Sequence, residues 1–313
     1  MKSLQPHQRV MIFVLLVLVV ACLISPWMAL GADWFGARWP NVLSKRVPFP
    51  RVFNRAFMIG GIFLFIMGHR LLIPGHLKRL LGVRFADGWR SLLVGYGLAL
   101  SSMVLLVVVM TVADVYTPSF HLSLQQTLSR VARAFAAGMF TGLFEEIFFR
   151  ALLFLSLREQ GRPLGAYILA NLFYSLLHFV KPGKRYYLDQ IDPLAGFRHL
   201  FTTFGAFLDP IPLLPGIFGL FLVGVVLSYA LARTGKLYLS IGLHAGWITS
   251  LQTLRVFDKT TRSELGWAFG STDPKIVSGV VAWIGILLVG VVVHWFTRRE
   301  ARSLADRPAR AAA

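Results

Sequence analysis

From Val10 to Ala32 the chain carries no charged side chain, and seven further stretches are largely apolar, the second of them short and the fourth interrupted by charges. A helix that spans the hydrocarbon core of a bilayer needs about 20 predominantly apolar residues. The eight runs are Val10–Ala32, Ala56–Gly68 (extending through His69 and Arg70 to Pro74), Ser91–Ala113, Ala134–Leu157, Pro163–Val180, Ile211–Ala232, Leu237–Leu254 and Ile276–Phe296. They are continuous and do not alternate with period two, which indicates helices and not a barrel. The expected fold class is therefore all-α: a polytopic membrane protein, a bundle of about eight transmembrane helices. The first run follows Lys2 and Arg9, as a secretory signal would. It exceeds the roughly 7–15 apolar residues of such signals and precedes no small-residue cleavage site, so it reads as an uncleaved helix.

Composition agrees. The 313 residues are 56% hydrophobic and 15% charged, whereas soluble domains carry about 25% charge. One cysteine, Cys22, excludes a disulfide framework. The net charge of +18 would suggest a nucleic-acid partner in a soluble chain. Here the basic residues sit between apolar runs, the pattern of loops lying against anionic headgroups, so no nucleic acid is expected. No hydrophilic stretch is long enough for a separate soluble domain, and residues 1–313 read as a single membrane domain ending in a basic tail, 298–313. Lys and Arg divide almost evenly between the two sides of an eight-helix topology. The Arg298, Arg299, Arg302 cluster beside the last run favours cytoplasmic termini. The expected location is a bacterial-type cell (inner) membrane.

The fourth run breaks the pattern. Phe144-Glu145-Glu146-Ile147-Phe148-Phe149-Arg150 places three ionisable groups in an otherwise apolar helix. Each costs about 2.5–3.5 kcal/mol at the bilayer centre, so each calls for a functional or structural reason. Glu146 and Arg150 are four residues apart, share a helix face and can pair. Glu145 is turned about 100° away and is the freer carboxylate. That makes it the better candidate for moving a proton. On this helix alone, an enzyme and a proton-coupled transporter are equally consistent.

Two histidines lie in neighbouring runs: His178 in the fifth and His244 in the seventh. His7, His69, His76, His121, His199 and His294 fall in loops or near helix ends, and no role is expected for them. Counting 1.5 Å per residue from the shared membrane face puts Glu145 about 18 Å deep, His178 about 22 Å and His244 about 10 Å. On that count Glu145 and His178 meet, and His244 joins them only if helices tilt.

Glu145-Glu146-x-x-x-Arg150, then Tyr174-x-x-x-His178, then His244 after Arg233-Thr234-Gly235-Lys236-Leu237, resembles the CPBP family. These are the CAAX prenyl protease and bacteriocin-processing (Abi) intramembrane endopeptidases, whose motifs are EExxxR, FxxxH and HxxxN. The similar core runs over about 134–254. The chain departs at Tyr174, where the motif has Phe, at Ile248, where it has Asn, and at Ala151, where Gly usually follows the arginine. The Ile248 departure removes the side chain thought to help polarise the scissile carbonyl, with Thr249 and Ser250 as nearby donors.

The resemblance implies an intramembrane endopeptidase. It implies Glu145 as general base on water together with His178, and His244 in oxyanion stabilisation. Glu146 and Arg150 then support the helix. The substrate is expected to be a membrane-associated protein or peptide, with a prenylated CAAX tail as one class; the chain's own last four residues contain no cysteine. Two histidines and a glutamate also suit zinc with an open position for water, so a metal stays open as a cofactor. HExxH is absent. The competing expectation is a non-proteolytic membrane scaffold or a proton-coupled transporter.

Overall fold

The protein is described by a computed structural model covering residues 6–42, 46–72, 84–118, 122–159, 161, 163–180, 185–254, 257, 264–270 and 276–298. Arg299, Arg302 and the rest of the basic tail lie outside the described residues, as do His76 and His121. The helices are α1 (Pro6–Arg38), α2 (Phe49–Leu72), α3 (Trp89–Val112), α4 (Leu124–Glu145), α5 (Leu155–Arg158), α6 (Pro163–Leu177), α7 (Ala195–Thr203), α8 (Leu214–Thr234), α9 (Tyr238–Leu254), α10 (Gly266–Phe269) and α11 (Val280–Phe296). Between α4 and α5 the chain winds as a π-helix, Glu146–Phe154. Among the described residues there is no strand, and the chain is an all-helical integral membrane protein.

Each of the eight apolar runs is helical. Among the described residues three helices are long and apolar enough to cross a bilayer by themselves: Met11–Arg38, Trp89–Val112 and Ile211–Thr234; Pro163–Leu177 and Val280–Phe296 are shorter apolar helices. Their outward faces carry large apolar side chains, such as Leu15, Leu23, Val104, Val108, Leu287 and Val291. In water such a surface would aggregate; in lipid it is solvated.

The largest boundary difference concerns α4, which starts at Leu124 and not at Ala134. Its first turns are polar, so hydropathy misses them, but a capping box holds them. Gln126 N donates to Ser123 Oγ (3.3 Å), and Ser123 N donates to the Gln126 side chain (3.2 Å).

The chain divides into two compact units, 1–74 with 177–211, and 75–176 with 212–313. In the first, α1 packs on α2 and α7. Gly196 of α7 lies so close to α1 that a Cβ there would sit 2.1 Å from Cys22 O. Cys22 itself packs with Ala21, Phe53 and Ala56. The loop before α2 is tied back by Phe49 N donating to Tyr186 O (2.8 Å) and by Arg46 reaching Asp33 (2.9 Å) and Asp189 (2.6 Å).

His199, read from the sequence as needing no role, is buried among the rings of Phe49, Phe53 and Tyr186 at 4.9–5.8 Å. Burial disfavours its imidazolium and holds its pKa below the ordinary 6.5. As pH falls below about 6.5 the unfolded chain binds a proton that the folded chain refuses, so stability is lost on acidification. The melting temperature should hold above pH 7 and decline below 6.5. His199→Phe should flatten that decline; identical slopes in both proteins would remove His199 as its cause.

In the second unit, α9 is the central helix, buried along most of its length. Small residues let it approach two neighbours at once. A Cβ on Gly242 would lie 2.1 Å from Leu92 O of α3, and one on Gly142 of α4 would lie 3.0 Å from Ala245 N of α9. His244 sits between these close contacts and is therefore fixed by backbone on both sides. The turn into α9 is equally constrained. Gly235 ends α8 with φ 65° and donates to Leu231 O (2.8 Å), while Thr234 Oγ1 accepts from Lys236 N (3.2 Å).

Candidate active site

The winding changes where the charges are. α4 ends at Glu145, and the π-helix begins at Glu146 with an i→i+5 pattern that has the N–H of Leu155 bonded to Arg150 O. Such segments are uncommon and frequent at functional sites. Glu146 and Arg150 stay on one face within it, both fully buried, with Arg150 Nη1 3.3 Å from Glu146 Oε1.

The same Oε1 lies 2.8 Å from Nδ1 of His244. An ionised carboxylate only accepts, so Nδ1 carries the proton and Glu146 fixes the ring's orientation. Glu146 is thus more than the partner of Arg150: it holds a second functional group in place. The other nitrogen, Nε2, points at Glu145 Oε2 (3.7 Å) and at the Tyr174 hydroxyl (3.4 Å). Glu145 keeps 27% of its side chain exposed while Glu146 keeps none. Glu145 is thus the more exposed of the two carboxylates.

Tyr174 comes from α6. Its ring is capped by the Arg150 guanidinium, 4.3 Å from the centroid, and touched edge-on by Phe149 at 5.0 Å. α6 is held in turn by Ser175 Oγ donating to Ile217 O (2.6 Å) and by Asn171, which accepts from Ser228 (3.0 Å).

The structure therefore joins Glu145, Glu146, Arg150 and His244, and adds Tyr174, whose hydroxyl the sequence offered only as a motif departure. His178 is half-buried in the turn directly after α6, within the 177–211 segment of the first unit. The depth expectation for His244 is corrected: it meets both glutamates. π winding places more residues in each turn, so Glu146–Phe154 climbs less than an α-helical count assumes, and Glu145 lies shallower.

Among the described residues no three His, Cys, Asp or Glu side chains gather as metal ligands. Of the two nitrogens of His244, Nδ1 is engaged by Glu146 and Nε2 faces Glu145 and Tyr174.

No curated protein and no solved structure matches the chain. Residues 127–249 match the family model described as type II CAAX prenyl endopeptidase Rce1-like. That span runs from the first turn of α4 through the buried cluster to Thr249 and includes all three motifs. Over residues 127–249 this chain is similar to the Rce1-like type II CAAX prenyl endopeptidases, the family relationship its motifs imply.

Proposed function

We propose that this protein is an intramembrane endopeptidase that hydrolyses a peptide bond in a membrane-associated polypeptide. A prenylated CAAX-type tail is the first substrate class to test. The observation that supports this reading best is the convergence of half-buried Glu145 and fully buried Glu146 and Arg150 on His244 inside apolar helices, within the matched span.

In this reading Glu145, assisted by His178, takes a proton from a water molecule as its oxygen bonds to the scissile carbonyl carbon. The carbonyl electron pair moves onto oxygen, and the imidazolium form of His244 donates Nε2–H to it while Nδ1–H stays on Glu146. Collapse breaks the C–N bond, and protonated Glu145 returns the proton to the leaving amine. Arg150 balances the charge of Glu146. No step uses a metal. In this reading the chain belongs to a bacterial-type cell membrane with cytoplasmic termini, an orientation favoured by the Arg298, Arg299, Arg302 cluster after the last apolar run.

The test compares the protein termini in membranes containing wild-type protein or Glu145→Gln, each with and without a chelator. New termini inside membrane-associated segments should depend on Glu145 and persist with chelator. Identical termini in both membranes would end the protease reading; loss with chelator would end its metal-free form.

A further inference from the structure

We propose that Tyr174 is a catalytic residue of this site, its hydroxyl being the second hydrogen-bond donor to the oxyanion beside His244. The inference rests on the endopeptidase reading above.

The hydroxyl lies 3.4 Å from His244 Nε2, the nitrogen that Glu146 leaves available. Two donors at that separation form a pair that one oxygen can occupy, at about 2.9 Å from each, within the usual 2.7–3.1 Å range for such sites. Glu145 Oε2, 3.7 Å from the same Nε2, borders that position. A carbonyl oxygen there presents its carbon to a water held by Glu145.

The hydroxyl is placed in advance of any substrate. Arg150 over the ring face and Phe149 at its edge hold an aromatic group in position, and Tyr174 is only 1% exposed. A phenylalanine would satisfy both ring contacts, so packing accounts for the ring and not for the polar atom. The hydroxyl's partner is His244 Nε2, so what the polar atom adds to the ring lies at this site.

The other side chains of α9 that follow His244 are badly placed as donors. Ile248, one turn along α9, has none. Thr249 faces Gly138 of α4, where a Cβ would lie 2.4 Å from its Oγ1. Gly138 is about 10 Å along the helix from Glu145. Ser250 donates to Gly246 O (2.8 Å). Two departures from the motifs thus become one exchange: the donor missing at position 248 is supplied from position 174.

The test uses full-length protein in lipid nanodiscs and a quenched fluorogenic peptide spanning a junction mapped as above. Tyr174→Phe keeps the ring on Arg150, so the variant should fold. Its kcat should fall about 10²–10³-fold, as for loss of one oxyanion donor, with KM changed less than about threefold. A phosphinate analogue of the peptide, which mimics the tetrahedral intermediate, should bind more weakly by the same factor, while the uncleaved peptide binds as before. A kcat within about threefold of wild type overturns the assignment. So does a large fall in kcat with phosphinate affinity intact, which would make Tyr174 a positioning residue for His244. Glu145→Gln, run in parallel, separates the two levels. If it cleaves at the wild-type rate, or if no junction is found, the endopeptidase reading falls and takes this one with it. If it is inactive while Tyr174→Phe is fully active, only the Tyr174 assignment falls.

Discussion

Glu145→Gln should lower turnover by about 10²–10⁴-fold, the contribution of a positioned general base, and leave the protein folded in the membrane. Glutamine keeps the volume and the polar end but cannot take up a proton. The side chain is partly exposed and Glu146 carries the contact to Arg150, so its replacement strands no buried charge. Glu146→Gln provides the contrast. Its amide oxygen can still accept from His244 Nδ1, but the charge opposite Arg150 is gone, so yield and melting temperature should fall together with activity. Turnover per folded molecule separates the two glutamates: the loss should be much larger at 145. Equal losses per folded molecule would mean that the carboxylates share the base role. His178→Ala should behave like Glu145→Gln, with full cleavage by both variants ending the proposed mechanism.

The two carboxylates differ in a way that local sequence already indicated, because adjacent residues on a helix cannot both face the same arginine. The apolar runs were legible for a similar reason. Lipid demands apolar side chains along a whole helix, and hydropathy records that directly. Less legible were features set by partners distant in sequence. α4 begins in polar residues, and only the Ser123–Gln126 pairing marks its start. The π-helix at Glu146–Phe154 leaves no local pattern, because its apolar side chains suit either winding and packing chooses between them. His244 seemed too shallow because every helix was counted as straight and α-helical. Glu146 was paired with Arg150 by spacing alone, and nothing in spacing discloses that its oxygen also holds His244. The Tyr174 hydroxyl appeared in the sequence merely as a conservative change from phenylalanine; its meaning depends on α6 bringing it to Nε2.

Arg150→Met should be the most destabilising of these substitutions, by about 3–5 kcal/mol, because it leaves the Glu146 carboxylate buried without its cation. Both members of the pair are fully buried, so water cannot replace the lost partner. The arginine also covers the face of Tyr174, and that contact goes with it. Thermal unfolding in detergent should show the loss as a large drop in melting temperature and a low yield of dispersed protein. The double variant Glu146→Gln with Arg150→Met removes both charges and keeps an amide oxygen for His244 Nδ1. It should recover much of the lost stability, since exchanging a buried ion pair for neutral groups of similar volume is often close to neutral. Activity should not return with it, because His244 would have lost the carboxylate that holds its imidazolium form toward the oxyanion. If the single variant is as stable as wild type, the buried pair is not what holds this segment of helix. If the double variant stays as unstable as the single one, the cost comes from lost packing over Tyr174 and not from an unpaired charge.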